Sequence, residues 1–243
     1  SPPNEETPAT RGDSPVGSGT LGDNRFTGYR RRLIEEIRRK GVDDLEILQL
    51  FDQVPRHLFL PDGVLNRAYE DSPIPIGYQQ TASQPSLQAL YLSILKPTSS
   101  EKVLEIGTGS GFLTALLAKM ADRVYSVERI RELSSRARKA LDQIGLLNVA
   151  LLVGDGTIGW RKYAPYDVIV VSAASPSIPK AYMDQLGTPG RMLIPDGTKE
   201  SPELVLVQKD GFVTTEEPVQ SNCTFVPLLG RFAWKEENQG GRE

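Results

Sequence analysis

Apolar residues recur along this chain with two periods, and their order predicts alternating helices and strands. Near the N-terminus Tyr29, Leu33 and Ile37 stand at helical spacing between Phe26 and Lys40, with Gly41 as the stop. A second helix is predicted from Asp43 or Asp44, either of which suits an N-cap. It carries Leu45, Leu48 and Phe51 inward and ends before Pro55. Between Pro61 and Pro85 the residues Pro73, Pro75 and Gly77 interrupt every pattern, so irregular chain is expected. A helix follows from about Ser86 to Leu95. Beyond it the pattern alternates: strand 103–106, helix 112–120, strand 124–128, helix 131–144, strands 148–153 and 167–172, helix 179–186, strand 191–194. That order predicts an α/β fold with a mostly parallel, twisted sheet and helices on both faces. Further strands at 204–207 and within 212–229 meet at the turn Asp210-Gly211 and must pair antiparallel.

Composition narrows the chemistry more than the fold. The chain has 243 residues, 39% of them apolar, enough for a real core. A net charge of −3 gives no reason to expect nucleic-acid or acidic-membrane binding by bulk electrostatics. The arginines of the first helix have Glu35 and Glu36 among them and read as a solvated face. No apolar run is long enough to cross a bilayer. Cys223 and His57 are each alone, which argues against a disulfide, a metal cluster or a nucleophilic triad. His57 reads as a structural residue. Residues 1–24, rich in Pro, Gly, Ser and Thr, are expected to be disordered. Residues 25–243 are expected to form a single domain, with a covering segment over 25–97, a core over 98–234 and a polar tail over 235–243. A cytoplasmic location is expected; export is the alternative, because the chain starts at Ser1 rather than Met and with a tail expected to be disordered.

The segment Val103 to Gly111 carries the candidate chemistry. An apolar strand runs into Gly107-Thr108-Gly109-Ser110-Gly111, a turn that brings backbone close to a ligand. A nicotinamide site has its last glycine one place later, where Phe112 stands. The observed spacing, with Glu105 before it, is the form of S-adenosylmethionine sites. The next strand ends in Glu128, a carboxylate able to accept both ribose hydroxyls. Gly154-Asp155-Gly156 follows the third strand, and there Asp155 is expected to accept the adenine amino group or to serve as a turn residue. Small residues from Val171 to Ala174 leave room for an acceptor beside the sulfonium, or permit packing.

More specific motifs lie outside that loop. Val54-Pro55-Arg56-His57-Leu58-Phe59, Ala68-Tyr69-Glu70-Asp71-Ser72-Pro73, Ile76-Gly77, Thr81-Ala82-Ser83-Gln84-Pro85, Gly159-Trp160, Ala164-Pro165-Tyr166-Asp167 and Phe225-Val226-Pro227-Leu228 stand in order between Arg32 and Trp234. With the glycine loop they make the chain resemble the protein-L-isoaspartate O-methyltransferases, which have the Rossmann-like class I methyltransferase fold. The resemblance implies methyl transfer from S-adenosylmethionine to the α-carboxylate of isoaspartyl residues in damaged proteins and peptides. The ester then closes to a succinimide without help, and S-adenosylhomocysteine is the other product. Ser83 is the implied active-site residue; by its own sequence it also suits a helix N-cap. Gln80, Thr81, Ala82, Ser83, Glu105, Gly107, Thr108, Gly109, Gly111, Glu128, Arg129, Asp155 and Gly156 are the expected cofactor contacts. Asp71, Ile76, Ser83, Ala173 and Ala174 are expected on the substrate side, with no metal. A monomer is expected, acting on isoaspartyl peptides and proteins.

The chain departs from the family's habit at Ala82, Phe112, Ser172 and Leu229, and Pro189-Gly190-Arg191 shortens a Pro-Gly-Gly-Arg run. Leu229 puts a side-chain hydroxyl contact to the cofactor in doubt. Two other readings stay open: the same cofactor with a small-molecule or RNA acceptor, and a noncatalytic binding domain. Absence of Asn-Pro-Pro-Tyr counts against methylation of base amino groups.

Overall fold

The computed structural model describes residues 24–198, 200–220 and 225–236. Residues 1–23 of the tail expected over 1–24, Cys223 and residues 237–243 lie outside the described residues. Helix α1 (Thr27–Arg39) buries Arg30, Leu33 and Ile37, whereas Tyr29 is 57% exposed. The inward stripe is therefore Phe26, Arg30, Leu33 and Ile37, a 4-3-4 spacing that a reading restricted to apolar residues misses. Helix α2 (Leu45–Gln53) starts at Asp44, whose side chain accepts from the Glu46 N–H at 3.0 Å. Leu45, expected inward, is 78% exposed; Ile47, Leu48, Leu50 and Phe51 make the buried face.

Two 3-10 turns, Arg56–Phe59 and Asp62–Arg67, lead to an antiparallel hairpin of β1 (Ile74–Gly77) and β2 (Gln80–Ala82). The hairpin corrects the expectation of irregular chain over 61–85. Pro75 is compatible with a strand because it sits at an exposed position of a two-stranded ribbon, while Ile74 and Ile76 alternate inward. Tyr78 and Gln79 make the turn with φ of 55° and 60°, a left-handed conformation that side chains resist. The Arg136 guanidinium holds this turn, donating to the Ile76 carbonyl at 2.9 Å and stacking 5.5 Å from the Tyr78 ring centre.

Helix α3 (Pro85–Leu95) delivers the chain to the sheet. There follow β3 (Lys102–Ile106), α4 (Phe112–Met120), β4 (Arg123–Glu128), α5 (Arg131–Gln143), β5 (Val149–Val153), β6 (Tyr166–Val171) and the short β7 (Ala173–Ala174). Then come α6 (Lys180–Gln185), β8 (Leu186–Gly197), β9 (Pro202–Asp210), β10 (Val213–Gln220) and β11 (Val226–Pro227). The main sheet has seven strands in the order β10-β9-β8-β6-β3-β4-β5. Pairs among β8, β6, β3, β4 and β5 are parallel, and β8-β9 and β9-β10 are antiparallel. Strand β8 is longer than the expected 191–194. Gly187 to Gly190 bulge out between the pairs Tyr166–Leu186 and Val168–Arg191. A Cβ on Gly190 would lie 2.3 Å from the Gly187 carbonyl oxygen.

Alternation along the strands divides the core in two. Val103, Val124, Val168 and Leu193 join the side chains of α1 to α5 on one face. Their neighbours Leu104, Tyr125, Ile169 and Met192 turn to the other face, against Tyr182 of α6, Trp160 and Leu228. The chain order β3, β4, β5 runs outward on one side of β3 and returns to β6 on the other. The carboxyl ends of β3 and β6 are therefore the place where connections diverge and a crevice opens. No helix among the described residues is long and apolar enough to cross a membrane.

Candidate active site

A cleft opens at that divergence. It measures about 770 Å³ with its open solvent, and the turn after β3 forms its floor. Ser172 N–H donates to the Ile106 carbonyl at 3.1 Å and Gly107 N–H to the Val127 carbonyl at 2.9 Å, so three strand ends are tied beneath the loop. Gly107 and Gly109 take φ of 94° and 53°, which lets their backbone turn toward the cleft with no side chain in the way. Gly156 lines the opposite edge. A Cβ there would come within 2.8 Å of Ile106 Cγ2, so only glycine lets the loop after β5 approach β3 this closely.

Glu128 ends β4 at the rim of the cleft, 8% exposed. Its Oε1 accepts from the Gly109 N–H and its Oε2 from the Ile130 N–H, each at 2.9 Å. An ionised carboxylate has about four acceptor sites, so two remain for a ligand's hydroxyls. Gln80, Thr81, Ala82 and Ser83 form the facing wall, where β2 runs toward α3. Arg129 and Ala173 also line the cleft. A recess too narrow for a water molecule shares Ser83, Gln88, Leu113 and Ser172 with the cleft and reaches Tyr91 and Phe225.

Several expected contacts lie outside this wall. Glu105 is fully buried behind the loop, where its Oε1 accepts from Thr114 Oγ1 and from Ser126 Oγ at 2.7 Å. Because Ser126 spends its proton on Glu105, Thr108 Oγ1 must donate to Ser126 Oγ across 2.6 Å. Glu105 therefore anchors Thr108 and does not face the cleft. Burial pushes its carboxyl up to about 7, opposed by the bonds from Thr114 and Ser126. Gly111 starts α4, and a Cβ on it would meet Ala137 Cβ at 2.8 Å; this glycine serves the approach of α5.

Asp155 is committed elsewhere as well. Its Oδ1 accepts from the Thr157 N–H at 2.9 Å and Oγ1 at 2.6 Å, and its Oδ2 from the Arg231 N–H at 2.9 Å. Ile76 is buried in the hairpin's core, and Ala174 is buried under β11, its carbonyl accepting from the Leu228 N–H at 2.7 Å. Asp71 does not line the cleft. It accepts from the Ser86 N–H at 2.8 Å and thus caps α3, the task for which Ser83 was suited by sequence.

Comparison with known proteins places this arrangement. The sequence model of the protein-L-isoaspartate(D-aspartate) O-methyltransferases matches residues 29–233. Protein-L-isoaspartate O-methyltransferase 2 of Geotalea uraniireducens is 47% identical over 212 residues, covering 86% of this chain and 97% of the relative. The protein-L-isoaspartate O-methyltransferase of Methanoculleus marisnigri is 47% identical over 210 residues, 86% of this chain and 94% of the relative. This chain belongs to the protein-L-isoaspartate O-methyltransferase family. A solved structure of a protein-L-isoaspartate O-methyltransferase superposes with a TM-score of 0.75 at 29% identity, over 84% of this chain and 67% of that one. A second, the Plasmodium falciparum protein described as a putative member in complex with S-adenosyl-L-homocysteine, shares the fold with a TM-score of 0.73 at 22% identity, over 82% of this chain and 98% of that one.

Within this family member, Phe112 is explained by its packing. It is 2% exposed and meets the rings of Phe51 and Phe59 edge-on at 5.7 and 5.9 Å, a site with no use for a hydroxyl. Sequence reasoning missed Gln88, which lies one turn into α3 on its buried face and lines the cleft. Its Oε1 is buried and has no partner among the described residues. The available signal was Gln88 at an inward position of an otherwise apolar helix face. Ser110, Leu113 and Ile130 also line the cleft and follow from the turns that flank the glycines. The orphaned amide oxygen, the glycine cradle and the rim carboxylate together fit a polar adenosyl ligand with hydroxyl and amino donors. No three His, Cys, Asp or Glu side chains converge as a metal site among the described residues.

Proposed function

We propose that this chain transfers a methyl group from S-adenosylmethionine to the α-carboxylate of isoaspartyl residues, and to the D-aspartyl residues in the family's name, in peptides and proteins. One observation carries this reading: in a chain of this family, Ser83, the glycine loop and Glu128 line a single cleft. When bound, the cofactor supplies an electrophilic methyl carbon, which bonds to the acceptor oxygen as the carbon–sulfur bond breaks and leaves its electron pair on sulfur.

The side chains have correspondingly simple tasks. Gly107, Thr108, Gly109 and Gly156 would hold the cofactor through close backbone approach. Glu128 would accept its ribose hydroxyls, and Gln88 Oε1 would receive a donor from cofactor or acceptor. The Ser83 hydroxyl, in the cleft lining just before α3, would orient the acceptor carboxylate. An isoaspartyl carboxylate is ionised near neutral pH, so no general base is needed. His57 is engaged outside the cleft, with its Nδ1 2.8 Å from the Tyr69 hydroxyl and its ring stacked on Phe26 at 4.2 Å. Rate enhancement then rests on alignment and exclusion of water.

The test is transfer of labelled methyl from S-adenosylmethionine to a peptide with one isoaspartyl residue, beside the same peptide with normal aspartate. Base-labile label on the isoaspartyl peptide alone is expected; label on neither, with cofactor binding demonstrated, overturns the reading. In the same assay Ser83→Ala is expected to lower turnover about 10- to 100-fold with cofactor affinity nearly unchanged.

A further inference from the structure

The segment Ser83-Gln84-Pro85-Ser86 joins the facing wall of the cleft to α3, and two charged residues of the N-terminal extension hold its ends. At one end, the Arg56 guanidinium donates to the Ser83 carbonyl at 3.4 Å. The same group donates to the Ala68 carbonyl at 2.6 Å and lies 5.8 Å from the ring centre of Phe112, the first residue after the glycine loop. Arg56 is 1% exposed, and its hydrogen bonds go to backbone carbonyls rather than to a carboxylate. Burial lowers its pKa to about 10, which leaves it charged at neutral pH. A buried guanidinium bound only by carbonyls is a costly way to join loops that apolar packing could join. Its fork reaches where a hydrophobic side chain does not, linking two separated backbone segments, 68–70 and Ser83.

At the other end stands Asp71, its side chain 1% exposed. Pro85 has no N–H, so Ser86 offers the first orphan donor of α3, and Asp71 Oδ1 takes it. Asp71 Oδ2 accepts from Gln84 Nε2 at 3.3 Å and from Lys40 Nζ at 2.5 Å. Every residue of the segment except Pro85 is thus bonded through backbone or side chain to Arg56 or Asp71.

We propose that Arg56 and Asp71 are positioning residues for methyl transfer: they hold the Ser83–Ser86 segment in register with the glycine loop and touch neither cofactor nor substrate. The proposal rests on the function proposed above, in which Ser83 orients the acceptor. It reassigns Asp71 from the substrate side, where the sequence resemblance put it.

The experiment compares Asp71→Ala, Asp71→Asn and Arg56→Lys by steady-state kinetics on the isoaspartyl peptide, calorimetric titration with S-adenosylhomocysteine, and hydrogen exchange at the Ser86 amide. Asp71→Ala is expected to lower kcat about 10- to 100-fold while peptide KM and cofactor Kd stay within about threefold. Exchange at Ser86 should quicken about tenfold as its acceptor disappears. Asp71→Asn keeps the Oδ1 acceptor for the Ser86 N–H but turns its amide N–H₂ toward Gln84 Nε2 and Lys40 Nζ, so exchange at Ser86 should stay within about threefold of the parent while kcat falls between the parent's and that of Asp71→Ala. Arg56→Lys, which keeps the charge but loses the fork, should lower kcat in the same pattern as Asp71→Ala. A rise in peptide KM with kcat unchanged would place Asp71 on the substrate and overturn the proposal, as would unchanged kcat and exchange. The exchange arm separates the two readings. Lost protection at Ser86 in a protein that methylates no isoaspartyl peptide defeats the function but leaves the brace. Unchanged protection in an active enzyme defeats the brace alone.

Discussion

Glu105 shows how one residue shapes the site without entering it. Its carboxyl is fully buried, its Oε2 has no partner among the described residues, and its Oε1 receives Thr114 and Ser126. Burial raises its pKa from about 4.5 to about 7, so the folded state binds a proton that the unfolded chain releases between those values. Stability from this group is complete below pH 4.5 and is lost as pH rises through 7, a change of about 3 kcal/mol. Glu105→Gln keeps an acceptor for Ser126 and removes the titration. Urea unfolding from pH 4.5 to 8 should show the variant gaining on the parent by about that amount. Parallel curves would mean that Glu105 titrates normally. The sequence placed Glu105 correctly before the loop but read it as a cofactor contact, because spacing shows that a carboxylate is near a site and not which way it points. The same limit applies to Asp155 and Asp71: each side chain bonds to backbone distant in sequence, 76 and 15 residues away, which spacing does not show.

At the scale of elements, β8 and α3 are locked by a single arginine. Arg191 donates through both terminal nitrogens to Glu101 at 2.8 Å, and its Nε and Nη2 reach the Leu95 and Lys96 carbonyls at 2.5 and 3.0 Å, closing the end of α3. The bonds from Arg191 hold the Glu101 carboxyl below its usual range, against a smaller opposing effect of burial. That contribution is present at neutral pH and is lost as pH falls through the lowered pKa. Arg191→Lys keeps the charge but loses the fork, and we expect a loss of about 1 kcal/mol. A fall in Tm of a few degrees would check it, and an unchanged Tm would show the pair to be idle. Elements of the sheet were legible because their apolar runs and helical stripes are each set by local burial. The hairpin β1-β2 was not, since Pro73, Pro75 and Gly77 suggest broken chain and its pairing partner lies beyond the turn. Arg30 was hidden in the same way. Its charge suggests solvent, yet it is 7% exposed and donates to the Asp52 carbonyl and the Tyr69 hydroxyl.

Across the whole molecule, the cleft is completed by chain from far beyond the cofactor loop. Strand β11 pairs with β7, and Val226 to Leu229 form part of the cleft wall. This strap is tied down by Asp155 through the Arg231 N–H and by Thr157 Oγ1, which accepts from the Phe232 N–H at 3.2 Å. Gly230 passes so close that a Cβ on it would lie 2.0 Å from Asp155 Oδ1. Both Asp155 oxygens act as acceptors, so Asp155→Asn turns an amide N–H₂ toward at least one N–H donor and should release the strap as fully as Asp155→Ala. We expect either variant to weaken S-adenosylhomocysteine binding about tenfold and to quicken amide exchange at Arg231 and Phe232. Burial opposes, but the bonds from Thr157 and Arg231 hold the Asp155 carboxyl below its usual range. The tie is therefore complete above the ordinary carboxylate pKa and loosens only as pH falls through the lowered value. Weakened binding with exchange at both amides unchanged would instead put Asp155 in direct contact with the cofactor, as its place after the third strand first suggested. If exchange and affinity change together, the strap is the route by which Asp155 reaches the cleft, and the C-terminal segment is a working wall of the site.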